Sequence, residues 1–418
     1  MRRPSSFTTL WASQASSNTA DGVLAAAAPL LVATLTRDPL AVAAMTIAQF
    51  LPRLILILPA GVLTDRWDRQ RILFGGNLLR CVAFALLAAA IALHWQSIWL
   101  LYVIVFVAGS AETLVDNAAL TIPPRIVPRE RLERANGTLF ATQSVVNSFI
   151  GPPVGSGLMA FSASLALLTS SSLYAIAALV ALMLPQLLPR TQSSGYAAPP
   201  SGAARPRESF VAEITAGWRE FWSNRLLRRV AVISAAFNLC ATATDAILVL
   251  LATGPLHIPH ALYGLFIAAP ALGALVGSLV ADRAIRQIGG GPLMWAAGLL
   301  PALSYIALGL SESILVAVIV MFSAAIPTAC NQITVSTLRQ AAVPDALLGR
   351  VTAAYRLVVL GIVPFGALAG GILGSLFGVQ TAFVISGSML LIATVALIPG
   401  VTTRALRQAE STVSARDQ

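Results

Sequence analysis

Two carboxylates, Glu112 and Asp116, stand one helical turn apart inside an otherwise apolar run. At i, i+4 they share a helix face, and acids that close in a low dielectric can hold one proton between them. One of the pair is therefore a candidate proton carrier. Asp21 and Asp245 also lie within apolar runs. An ionised carboxylate at mid-bilayer costs roughly 2.5–3.5 kcal/mol, so such acids are expected to face a polar cavity. For Asp21 and Asp245 a second reading stays open: solvation near the outer ends of their runs, or hydrogen bonds to Asn18, Asn238 or Thr242. Arg53 lies 12 residues before Asp65, roughly 18 Å along a helix axis, and so near mid-membrane. It needs an acid there, and either Glu112 or Asp116 could supply it.

Other chemistries lack their residues. His257 and His260 are spaced i, i+3, but Pro259 interrupts the turn and no third ligand is near, so no metal site is expected. The GGGP run from Gly289 to Pro292 follows no strand and reads as a turn, not a dinucleotide site. A chain without Lys has no phosphate-binding G-x-x-x-x-G-K-[ST] loop. No Ser/His/Asp or Cys/His set has usable spacing, and Cys81, Cys240 and Cys330 fall in apolar runs as packing residues. Neither an enzyme nor a cofactor is expected.

The elements that must carry the acids follow from composition. Hydrophobic residues make up 57% of the chain and charged residues 11%, against roughly 25% charged in a soluble domain. This is the pattern of an integral membrane protein. Apolar runs long enough to cross about 30 Å of hydrocarbon fall near 10–35, 40–63, 72–93, 97–121, 135–161, 164–188, 229–252, 260–281, 291–310, 313–337, 351–376 and 379–400. They predict an all-α fold of twelve transmembrane helices. Of the 27 arginines, Arg53, Arg80 and Arg356 lie within runs. With both termini cytoplasmic, Arg37 alone faces out and the rest face in, as the positive-inside rule requires. A formal charge of +10 spread along one membrane face predicts a lipid-bilayer partner and no nucleic acid. Ser13, Gln14, Ser16, Ser17, Asn18 and Asp21 are too polar for the core of a signal peptide, so the first run is expected to stay as a helix.

The chain is also built twice. Pro128, Arg134 and Gly155 return as Pro344, Arg350 and Gly371, each 216 residues later, as Leu132 returns at Leu348. Long repeats in a chain this apolar mark two homologous helical halves with a substrate site between them. A Pro/Gly/Ser/Ala stretch from Arg190 to Ser209 separates them. The expected organisation is a first six-helix bundle over 1–188, a cytoplasmic linker over 189–228, a second bundle over 229–400 and a tail over 401–418. Within the linker, Phe210, Ile214, Trp218, Phe221 and Trp222 recur at helical spacing, as in an interfacial amphipathic helix that anchors the seventh span.

Between the second and third runs lies GVLTDRWDRQR, Gly61 to Arg71. It resembles the signature loop of the major facilitator superfamily, G-x-L-x-D-R-x-G-R-R/K, matching at Gly61, Leu63, Asp65, Arg66, Arg69 and Arg71 and departing at Asp68. The D-R-x-D-R form is similar to that of the macrolide-efflux and siderophore-export branch. A degraded copy, GSLVADR, carries Asp282 and Arg283. GPPVGSG, with Gly151, Pro152 and Gly155, resembles the G-P-x-x-G-G motif of exporters in this superfamily and acts as an interhelix packing device, with Ser156 in place of the second paired glycine. The resemblance implies that spans 1, 4, 7 and 10 line the cavity. That gives the cavity Asp21, Glu112, Asp116 and Asp245, joined by Asn331 and Gln332 of span 10, with Gln332 lying 216 residues after Asp116. An arginine in mid-span 4, known in drug antiporters of the superfamily, is absent.

The resemblance implies a monomeric, multi-pass transporter of the cell membrane that exports a small molecule, a drug or secondary metabolite, against protons. An importer of a small nutrient on the same fold, and a membrane enzyme or scaffold, are the alternatives. The Asp65 loop reads as a cytoplasmic latch, with Arg125 a partner at the end of span 4, or else as a charge run that only sets topology. On the latch reading Asp65→Asn impairs transport at normal abundance. Accessibility labelling should then find the cytoplasmic side open more often; unchanged labelling with normal transport would leave the loop a topology signal.

Overall fold

In hydrocarbon every backbone N–H and C=O must find its partner within the chain, which leaves so apolar a sequence little choice but helices. The structure, a computed structural model, describes residues 6–185, 221–222, 225–342 and 345–397, and these are helical apart from short connections. In order they form α1 (Ser6–Leu35), α2 (Pro39–Arg66), α3 (Arg69–Ala92), α4 (Ile98–Leu120), α5 (Pro123–Ile126), α6 (Leu132–Val145), α7 (Gly151–Phe161) and α8 (Ala163–Ala181). After the linker come α9 (Arg225–Asp245), α10 (Leu248–Thr253), α11 (His260–Ile288), α12 (Gly290–Leu310), α13 (Ile314–Ala342), α14 (Asp345–Gly361), α15 (Val363–Phe377) and α16 (Val379–Leu397). The linker's helical stripe, apart from Phe221, Trp222 and Arg225, and the 401–418 tail lie outside the described residues.

Among the described residues 11 helical stretches are long and apolar enough to cross a membrane. The run expected over 135–161 is the exception, because α6 and α7 meet through one π turn at Val146–Ile150 and neither piece is long enough alone. The cause follows directly: Pro152 and Pro153 donate no hydrogen bond and crowd the carbonyls one turn before them, so the helix widens there. The run over 351–376 divides likewise into α14 and α15 just before Pro364.

Gly61 to Arg71, expected as a loop, is mostly helix. α2 continues to Arg66, leaving Trp67 and Asp68 as the connection. Asp68, the departure from the superfamily pattern, caps α3 by accepting from Gln70 N at 2.8 Å, a bond that satisfies one of the orphan donors of the first turn. Asp38 does the same for α2, accepting from Leu40 N at 3.0 Å with Pro39 at the first helical position.

The chain divides into two compact units, the first comprising the described residues of Met1–Pro189, Asp245–Ala271 and Gly370–Val379. Within it α1 is the buried element, packed on α7 and α8, while α3 sits on α4 and α8 and α2 on α4. The contact of α1 with α7 is backbone on backbone. A Cβ on Gly22 would stand 2.5 Å from Val146 O, and one on Gly155 would collide with the Val23 carbonyl. The second-half segments of this unit close on the turn after α1. Arg37 Nη1 donates to Thr253 Oγ1 at 3.0 Å, Ser156 Oγ donates to Ala261 O at 3.0 Å, and Gly371 lets α15 approach Leu40 and Ala43. Arg37 and Thr253 are themselves 216 residues apart, the offset of the sequence repeat.

The second unit holds the described residues of Arg190–Thr244, Leu272–Ala369 and Gln380–Gln418. Its helices also close through small residues, α11 on α13 at Gly273 and Gly277, and α12 on α16 at Gly298 and Gly387. Large apolar side chains such as Leu86, Val103, Leu279 and Ile392 stay exposed, as a lipid-facing surface requires.

The glycines of GPPVGSG provide an internal control. Gly155→Ala should destabilise the detergent-solubilised protein by about 1–3 kcal/mol through overpacking. Gly157→Ala, with open space around it, should leave its melting temperature equal or higher. Equal melting of the two variants would contradict the close α1–α7 contact.

Candidate functional site

The first unit gathers its buried charges from four helices. Gly109 brings α4 against α2, since a Cβ there would lie 2.9 Å from Gln49 O. One turn further along both helices, Arg53 Nη2 donates to Glu112 Oε1 at 2.8 Å. The acid that faces Arg53 is therefore Glu112. From α3, Arg80 reaches Asp21 of α1 in an ion pair, with the arginine side chain only 3% exposed. Tyr174 of α8 donates to Asp21 Oδ1 at 2.6 Å and accepts from Arg80 Nη2 at 2.8 Å, while its ring lies 4.1 Å under the guanidinium. Such a cation–π contact strengthens as water is excluded. Arg80 Nη1 donates to Ser17 Oγ at 3.1 Å, and Ser17 in turn donates to Asn77 Oδ1 at 3.0 Å. Asn18 bonds Gln14 O at 2.8 Å instead of Asp21.

Glu112 joins the two pairs, with Oε2 3.9 Å from Arg80 Nη2. A cavity of about 70 Å³ lies among Asp21, Gln49, Arg80, Glu112 and Tyr174, room for about two water molecules. Arg80 Nε is buried without a partner. The cluster thus holds two cations against three acids. The third acid, Asp116, is half-buried one turn along α4 and makes no hydrogen bond or ion pair with any described residue.

The remaining sequence candidates fall elsewhere. Asp245 ends α9, exposed, with no hydrogen bond or ion pair to a described residue. Asn331 and Gln332 of α13 line a cavity of about 280 Å³ inside the second unit, together with Asn238, Tyr355 and Arg356. Of the latch residues, the side chains of Gly61, Asp65 and Arg66 lie outside the described residues. Arg69 is buried and donates from Nε to Thr121 Oγ1 at 2.9 Å, tying the start of α3 to the end of α4. Arg125 is exposed on α5. Asp282 pairs within its own helix, 2.5 Å from Arg286, beside an exposed Arg283. Gly151, Pro152 and Gly155 sit at the contacts of α7 with α1 and α11.

Sequence reasoning passed over Arg80, Tyr174 and Arg356 as site residues. For Arg80 a signal existed: a lone arginine in an apolar run must find an acid. Tyr174 carried none, because its role depends on where α8 packs.

A family model described as transmembrane secretion effector matches residues 2–417. The enterobactin exporter EntS of Escherichia coli O1:K1 / APEC is 24% identical over 397 residues, 95% of this chain and 92% of that protein. Macrolide efflux protein A of Streptococcus pyogenes is 26% identical over 153 residues, 37% of each chain. Among solved structures, the bacterial homolog of the human lysosomal transporter Spinster, inward-facing and unoccupied, superposes with a TM-score of 0.72 at 14% identity, covering 97% of each chain, a likeness of fold alone. These relatives are transporters, not enzymes. With the family model spanning almost its whole length, the chain belongs to the transmembrane secretion effector family of major facilitator superfamily transporters.

Proposed function

We propose that this transporter exports small amphiphilic molecules in exchange for protons by alternating access, with Asp116 as the group that gains and loses the proton. One observation carries the assignment: Arg53 and Arg80 take Glu112 and Asp21 as partners, and Asp116 is the acid left over. Protonated, Asp116 leaves the cluster neutral. Ionised, it adds an uncompensated charge, which costs several kcal/mol in a medium without water and so calls for hydration or a bound substrate. That difference ties the proton to the conformational cycle.

The cycle runs on twelve spans in two pseudo-symmetric six-helix bundles, 1–188 and 229–400, counting α6 and α7 as one broken span. The linker 189–228, the tail 401–418 and both termini face the cytoplasm of a cell whose plasma or inner membrane holds the protein. Span 1, through Asp21, and span 4 then line the path within the first unit, the polar face of Asn331 and Gln332 lines a cavity within the second, and the latch of Asp65, Arg69 and Arg125 governs the cytoplasmic end. Export rather than import is supported by the two relatives, an exporter and an efflux protein.

Vesicles reconstituted with the purified protein and a panel of fluorescent amphiphiles provide the test. Asp116→Asn should lose uphill transport driven by a pH gradient and keep downhill exchange. Glu112→Gln strands Arg53, which is 46% exposed, and should mainly lower abundance, the protein that folds retaining gradient-driven transport. An Asp116→Asn protein that still concentrates dye with the wild-type pH profile would overturn the assignment.

A further inference from the structure

Three arginines lie within spans, and two of them, Arg53 and Arg80, face acids. The third, Arg356 on α14, does not. It is exposed on the wall of the 280 Å³ cavity inside the second unit, and among the described residues no carboxylate lines that cavity and it forms no ion pair. An arginine cannot shed its proton, and at membrane depth a lone cation is as costly as a lone acid. No described residue supplies its partner, which leaves the site open to an anion from outside the chain.

The surroundings restrict what that partner is. Asn331 Oδ1 is buried with no hydrogen-bond partner, so the cavity holds an unused acceptor as well as an unused cation. Tyr355 Oη donates to Ser234 Oγ at 3.0 Å and Asn238 Nδ2 to Val359 O at 3.2 Å, which fixes α9 against α14 and gives the polar wall a set shape. Phe237, Met294 and Val335 supply apolar lining. The volume fits the head of a drug-sized molecule rather than the whole of it.

We infer that this cavity binds the oxyacid head of an amphiphile, a carboxylate, phenolate or phosphate monoester, through Arg356, with Asn331 accepting from a hydroxyl or amide beside it. Asn331 and Gln332 alone suit a neutral or cationic cargo; Arg356 reverses the sign. The inference rests on the export reading for its cargo, but equilibrium binding needs no gradient. Failure here therefore leaves the role of Asp116 to the vesicle experiment. The same head group is available from a free cargo molecule or from an anionic lipid.

Binding of three probes that share one aromatic body, 2-naphthoate, 2-naphthylmethanol and 2-naphthylmethylammonium, should be measured by calorimetry on the full-length protein in neutral detergent. The carboxylate should bind roughly tenfold or more tightly than the ammonium, the scale of a charge-assisted hydrogen bond. Arg356→Gln should abolish that preference, and Arg356→Lys should keep part of it, since a point charge remains while the fork is lost. Should Arg356→Gln fail to fold, Asn331→Asp supplies an internal acid to the same cavity and should also remove the preference. Repeating the measurement in nanodiscs separates the sources. Competition by phosphatidic acid, absent with phosphatidylcholine, identifies a lipid head group, and naphthoate binding indifferent to lipid charge identifies a free acid. Equal affinity for the three probes in the wild type, or a preference that survives Arg356→Gln or Asn331→Asp, overturns the proposal.

Discussion

A charge inside a membrane span has to be neutralised by another charge, by water or by its own proton, and the interior of the first unit is arranged around that rule. Arg80 is enclosed by Asp21, Tyr174 and Ser17 from two other helices, so the contact of α1, α3 and α8 is fixed by electrostatics as much as by packing. Removing one partner of such a pair typically costs about 3–5 kcal/mol. Glu112, shared between Arg53 and Arg80, extends the set to α2 and α4. What remains is Asp116, which has no cation partner among the described residues and is left with water or a proton, and the proposed coupling follows from that arithmetic.

The two units differ in their interiors. Positions around Asp21 and Glu112 carry ion pairs and leave about 70 Å³ of open space. In the second unit α9, α13 and α14 border a cavity of about 280 Å³ whose lining includes amides, a tyrosine and one arginine. On the proposed reading the first half manages protons and the second offers room for cargo. Small residues permit this without loosening the helices, because Gly22, Gly151 and Gly155 hold α1 and α7 at backbone contact whatever fills the interior beside them.

Much of this was legible in the sequence, and the failures have physical causes. The long apolar runs found their helices because hydrophobic length is a local property. The acids of span 4 stood out for the same reason. A bend of the fifth span at its prolines was legible, but the π turn just before Pro152 and Pro153 was not, since periodicity alone does not separate a bent helix from a π turn. Asp68 was read as a departure from a motif when its position before Arg69 also fits a helix cap. Which acid meets which arginine was not legible at all. Arg53 had two candidates one turn apart, and the choice of Glu112 depends on the close approach of α2 and α4 at Gly109.

The central claim, that Asp116 holds the exchangeable proton while Glu112 and Asp21 stay ionised beside their arginines, is open to direct observation by infrared spectroscopy of the purified protein. The account predicts one carbonyl-stretch band of a protonated carboxylic acid that titrates, shifts in deuterated water, vanishes in Asp116→Asn and persists in Glu112→Gln. A band that persists without Asp116, or that disappears with Glu112, would contradict it.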